Sequence, residues 1–103
     1  MKVYVAGPYS GGYIPYNVKN AVDAAEQLAQ AGHYAYIPHL SMYWDMFYPH
    51  PYDFWMALDD AFLRVCEAMI RLPGESSGAD KEEKVAKSLG IPVYYSVREF
   101  LDA

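Results

Sequence analysis

One cysteine, Cys66, stands among 103 residues. That excludes an intrachain disulfide and any cysteine-built metal centre, and its place in the apolar run VCEAMI predicts a buried thiol. Basic clusters are missing too. Eight lysines and arginines against thirteen acids leave a formal charge of −5. A sustained nucleic-acid surface is thereby excluded, while a small anion held by backbone N–H groups stays open. No apolar run is long enough to span a bilayer, and Met1 leads directly into a strand pattern, so the expectation is a cytoplasmic protein with no membrane partner. Of the three histidines, His33 lies beside a helix end and reads as a surface residue. His50 sits between prolines without ligand-like spacing, so neither a metal nor a cofactor is expected.

What is present is apolar. A hydrophobic fraction of 53% over 103 residues rules out disorder and suits one domain, 1–103, with a real core. Short β-rich runs at 2–6, 34–38, 67–72 and 91–95 alternate with helical periodicity at 17–31, 53–65, 78–89 and 97–102. In the second helix the predicted core stripe is Phe54, Leu58, Ala61, Phe62 and Val65. The aromatic, proline-punctuated stretch 39–52 reads as a long loop, of the kind that forms lids or binding walls. The pattern predicts a single-domain three-layer α/β sandwich, flavodoxin-like or Rossmann-like. Its parallel sheet has four to five strands with helices on both faces, and its ligand mouth lies at the strands' carboxyl ends.

The stretch AMIRLPGESSGADKEEKVAKSLGIPV (68–93) organises the rest as strand, Gly/Ser loop, helix and strand. With Ser77 as N-cap, Gly78, Glu82, Val85, Ala86 and Leu89 share one stripe, so Glu82 falls on the apolar face. Asp80, Lys81, Glu83, Lys84 and Lys87 fall opposite, as solvated charges. A carboxylate on a core stripe is costly unless compensated, and the helix's positive end is expected to keep Glu82 ionised. Asp59 differs. It has Trp55, Met56, Phe62 and Leu63 as helical neighbours, and apolar company raises a carboxyl pKa. A tyrosine in the first strand, Tyr4, needs a hydroxyl partner, and a carboxylate over the neighbouring strand would serve. Two unlike carboxylates suit glycosyl chemistry, one attacking the anomeric carbon and the other protonating the leaving group. Read blandly, Glu82 is a structural acid bonded to Tyr4, Asp59 an acid at a helix edge, and Ser76 and Ser77 caps.

These residues resemble the nucleoside 2-deoxyribosyltransferases and the related 2′-deoxynucleoside 5′-phosphate N-hydrolases. The likeness rests on VYVAGPYS at the first strand, Asn17 at the first helix, Asp59, the spacing Ser76-x-Gly78-x-x-x-Glu82, and GIPVY. It implies Glu82 as nucleophile on C1′, Asp59 as the acid for the base, and Tyr4 positioning Glu82. Gly7, Pro8, Tyr9, Ser10, Asn17, His39, Trp44, Ser76 and Gly78 are then expected around a nucleotide or nucleoside, in a homo-oligomer. Members acting on free nucleosides carry an acid where this chain has Ser76, which favours a 5′-monophosphate and hydrolysis. The first loop lacks the nucleotide hydrolases' arginine, so phosphate would rest on Ser10, Ser76, backbone amides and Arg71. Glu67 stands where the family usually has aspartate. The alternatives are base exchange by a transferase, or a non-catalytic nucleotide-binding or assembly module.

Overall fold

A computed structural model describes all of residues 1–103. Four parallel strands, β1 (Lys2–Ala6), β2 (Tyr34–Tyr36), β3 (Ala68–Arg71) and β4 (Val93–Tyr94), make one sheet in the order β2-β1-β3-β4. Helices α1 (Ile14–Gln30), α2 (Ser41–Phe47), α3 (Tyr52–Leu63), α4 (Ser77–Ser88) and α5 (Val97–Asp102) connect or follow them. The expected α/β sandwich is what the chain forms. Alternation in the central strands divides its core. Val3, Val5, Ala68 and Ile70 meet Ala21, Ala24 and Leu28 of α1 and Val97 and Phe100 of α5 on one face. Tyr4, Ala6 and Met69 meet Leu63 of α3 and Ala79 and Ala86 of α4 on the other.

Four expectations need correction. The stretch 39–52 is mostly helical, a 3-10 turn at Pro38–Leu40 running into α2. Its prolines, Pro49 and Pro51, fall between α2 and α3, and Pro38 opens the 3-10 turn, positions where a missing N–H costs nothing. Helix α1 starts at Ile14 rather than at Asn17, since Pro15 fits the first turn and Asn17 N donates to Tyr13 O at 3.1 Å. The cap of α4 is Ser76, whose hydroxyl accepts from Ala79 N at 3.1 Å. The fourth correction is α3. Its buried residues are Asp59 and Leu63, whereas Ala61, Phe62 and Val65 are exposed. The helix has two apolar faces, and the one turned to the sheet lies where the Tyr36 hydroxyl donates to Asp59.

Smaller differences follow the same logic. Cys66 is half-buried, with its thiol pushed up by desolvation. Glu83 is half-buried too, bonded to Lys87 at 2.9 Å and to the Tyr95 hydroxyl at 2.8 Å. His33 packs edge-on against Phe100 with ring centroids 4.9 Å apart. No helix is long and apolar enough to cross a membrane.

Candidate active site

Strand register places the site's floor. Tyr4 of β1 lies beside Tyr36 of β2, their ring centroids 5.4 Å apart. Each hydroxyl meets one carboxylate: Tyr4 donates to Glu82 of α4, and Tyr36 donates to Asp59 of α3 at 3.1 Å. Burial pushes both phenols well above their usual range, so they remain protonated donors. Tyr36 was missed in the sequence; the signal available was an aromatic alternation, Tyr34-Ala35-Tyr36, in a strand pairing with the one that carries Tyr4.

The two acids are both shifted upward. Desolvation pushes Glu82 up to about 7, against the hydrogen bond from Tyr4 and the charge of Arg71 and with the charge of Asp59. Desolvation pushes Asp59 up to about 6, partly offset by the hydrogen bond from Tyr36. This corrects the expectation that the helix end keeps Glu82 ionised and that Asp59 alone is raised. With Ser76 as cap, Glu82 is six residues into the helix, past the free N–H groups, and burial outweighs what remains of the dipole. The groups are close enough to influence each other and titrate as a pair.

Above them opens a cleft of about 520 Å³ at the carboxyl ends of the strands. Glu82, Asp59, Gly7, Tyr9, Ser10, His39, Ser76 and Gly78 line it, and Tyr4 lies fully buried beneath. Two residues predicted to bind substrate stand behind the wall instead. Asn17 Nδ2 donates to the carbonyls of Tyr9 at 2.8 Å and Gly11 at 2.6 Å, fixing the first loop. Pro8 contributes its carbonyl to His39 Nε2 at 3.0 Å. A carbonyl only accepts, so that nitrogen carries the proton and Nδ1 is a lone-pair acceptor, buried without a partner. Burial lowers the imidazole pKa and keeps it neutral.

Trp44 is a correction. It packs edge-on against Phe54 and Trp55 at centroid distances of 5.8 and 5.2 Å and does not line the cleft. Trp55 lines it in its place, its indole N–H donating to Asp45 at 3.0 Å. The sequence marked Trp55 only as a helical neighbour of Asp59, and Asp45 was missed because the helix carrying it was read as loop.

Arg71 is the other correction. It is buried and donates to the carbonyls of Leu72 and, at 2.9 Å, Gly74, and to Asp80 at 3.0 Å. Those bonds hold the 72–76 loop and take the guanidinium away from any phosphate. The loop is also tight. Gly74 has φ +116°, and a Cβ there would lie 2.7 Å from Pro8, so only glycine lets the first and third loops touch. None of the eight lysines and arginines lines the cleft.

A family model described as Domain of unknown function (DUF4406) matches residues 1–95. No curated protein matches the sequence. Among solved structures, a 2-deoxyribosyltransferase from the psychrotolerant bacterium Bacillus psychrosaccharolyticus superposes with a TM-score of 0.66 at 19% identity. The match covers 90% of this chain and 69% of that one. At that identity the likeness shows a shared fold.

Proposed function

The chain belongs to the family described as Domain of unknown function (DUF4406), and we propose that this member is an enzyme that cleaves the N-glycosidic bond of nucleosides. The observation carrying this reading is a pair of desolvated carboxylates, each anchored by a tyrosine hydroxyl, at the floor of one cleft. Ionised Glu82 attacks C1′, the C1′–N bond breaks, and the base departs with a proton from Asp59. Water or a second base then attacks C1′ of the glycosyl ester, giving up its proton to Asp59 and releasing Glu82 with net retention. Tyr4 positions the nucleophile. The fold likeness to a 2-deoxyribosyltransferase supports this chemistry over that of a binding or assembly module.

The substrate's 5′ end separates two versions. Ser10, Ser77 and the start of α4 at the cleft wall favour a 5′-monophosphate and the hydrolase reading. Ser76 is spent as a cap and Arg71 on carbonyls, and with no cation in the lining a free 5′-hydroxyl is the better match. Incubating the purified protein with each deoxynucleoside and its monophosphate, with and without an acceptor base, tests both versions. Free base is expected, with Glu82→Ala lowering its release at least ~10³-fold. Undiminished release in that variant rejects the assignment.

A further inference from the structure

Each ion pair of this chain lies outside the cleft: Lys19–Asp23, Arg64–Asp60, Arg71 with Asp80 and Glu83, Lys87–Glu83 and Arg98–Asp102. The carboxylates inside it, Asp45, Asp59, Glu75 and Glu82, make no ion pair, Arg71 reaching Glu82 only by its charge from outside the lining, and Tyr9, Tyr52 and Trp55 stand among them. Unpaired anions and aromatic rings around a partly desolvated space attract a flat, delocalised cation and repel an anion. Building on the N-glycosidic reading, we infer that the preferred substrate is a nucleoside whose base is itself cationic, an N-alkylated purine or a pyridinium.

The chemistry balances without an acid. Glu82 forms the bond to C1′, and the C1′–N electron pair returns to the ring, cancelling its positive charge, so the base leaves neutral without taking a proton. Water then attacks C1′, its proton passes to ionised Asp59 and on to solvent, and the C1′–Oε bond breaks to restore Glu82. The acids suit this route better than the alternative. A neutral base needs Glu82 ionised while Asp59 keeps the proton, yet desolvation raises Glu82 as well as Asp59, so burial does not single out Asp59 as the proton's holder. A cation in the cleft also favours ionised Glu82, whereas a phosphate holds it protonated.

Two measurements test this. The first is binding of 3-carbamoyl-1-methylpyridinium against its neutral isostere 3-methylbenzamide. The cation should bind at least ~10-fold more tightly. That ratio should fall with added salt and in Glu75→Gln. The second is the pH dependence of base release from 7-methylguanosine and guanosine and from their 2′-deoxy forms, with Glu82→Gln giving the spontaneous background. For the methylated substrates the first-turnover rate of base release, which precedes the step in which Asp59 takes water's proton, should climb and level off, and Asp59→Asn should cost it less than ~5-fold. For the parents a bell shape and a loss above ~100-fold are expected. Equal binding of cation and isostere, or the same bell and the same Asp59→Asn loss for both substrate sets, overturns the inference and leaves the N-glycosidic reading standing. No Glu82-dependent release from any of them removes both.

Discussion

The two faces of the sheet are built from one set of strands and put to different use. Toward α1 and α5 the strands present Val3, Val5, Ala68 and Ile70, and the buried partners there are all hydrocarbon. Toward α3 and α4 they present Tyr4 and Met69, and the helices answer with Asp59 and Glu82 as well as Leu63, Ala79 and Ala86. A shift of one residue along β1 separates a packing layer from a layer holding two desolvated acids. The first face stabilises the chain, and the second spends part of that stability on groups that water would have solvated better.

The largest effect expected on stability belongs to the packing face. Leu28 is fully buried in that cluster, so Leu28→Ala should destabilise by about 3 kcal/mol through lost burial and the cavity left behind. Chemical denaturation measures the loss, and nucleoside cleavage by the fraction still folded should be unchanged. A substantial change in that activity would mean the faces are not separable.

On the other face the sign reverses. Glu82 has its pKa raised from 4.5 to about 7, so between those values the folded chain binds more protons than the unfolded one. Stability therefore falls as pH rises through that window, and the deficit is complete above it. Asp59, raised from 3.8 to about 6, adds a second decline in a lower window. Glu82→Gln removes the larger of the two. It should raise stability by about 2 kcal/mol at pH 8, with the gain shrinking toward zero near pH 4. Thermal melts at the two pH values read it out, and equal gains at both would show that charge burial is not the cause.

The packing face was legible in outline from 3.6-residue and two-residue periodicities: of the residues in helical phase on α1, Val18, Ala21 and Leu28 are buried and Ala25 is half-buried, whereas Val22 and Ala29 are exposed. Glu82 was legible as a charge on the wrong stripe. Less legible was anything depending on which of two apolar faces an element turns inward. In α3 the stripe through Phe62 and Val65 is as hydrophobic as the one through Leu63, and the hydrogen bond from Tyr36 to Asp59 that accompanies burial of the second stripe depends on the sheet. The segment 39–52 failed for a related reason, since its prolines and aromatics mark boundaries and hide the short helix between them. That both acids are raised depends on how deeply each is buried, which spacing does not encode.

Tyr4→Phe acts on the working face alone, because the ring and its packing survive and one donor is lost. The hydroxyl lowers the pKa of Glu82 by donating to it, so without it the carboxyl should rise further. The acid limb of the pH–rate profile should move up by about one pH unit, which is about a fivefold loss of rate at about pH 7 and approaches about tenfold at lower pH. An unmoved limb would reduce Tyr4 to packing.

The smallest effects make the closest comparison, since each face has a helix capped by a serine. Ser96 accepts from Glu99 N at 3.0 Å at the start of α5, and Ser76 accepts from Ala79 N at 3.1 Å at the start of α4. Substituting either by alanine removes one cap and should cost about 1 kcal/mol of stability. Ser76 lines the cleft and Ser96 does not. If the division between the faces is real, Ser96→Ala changes the melting temperature alone, while Ser76→Ala also raises KM, because the α4 entrance that it fixes forms part of the cleft wall. A KM raised equally in both would place the two caps in one cooperative unit and dissolve the distinction between a layer that packs and a layer that works.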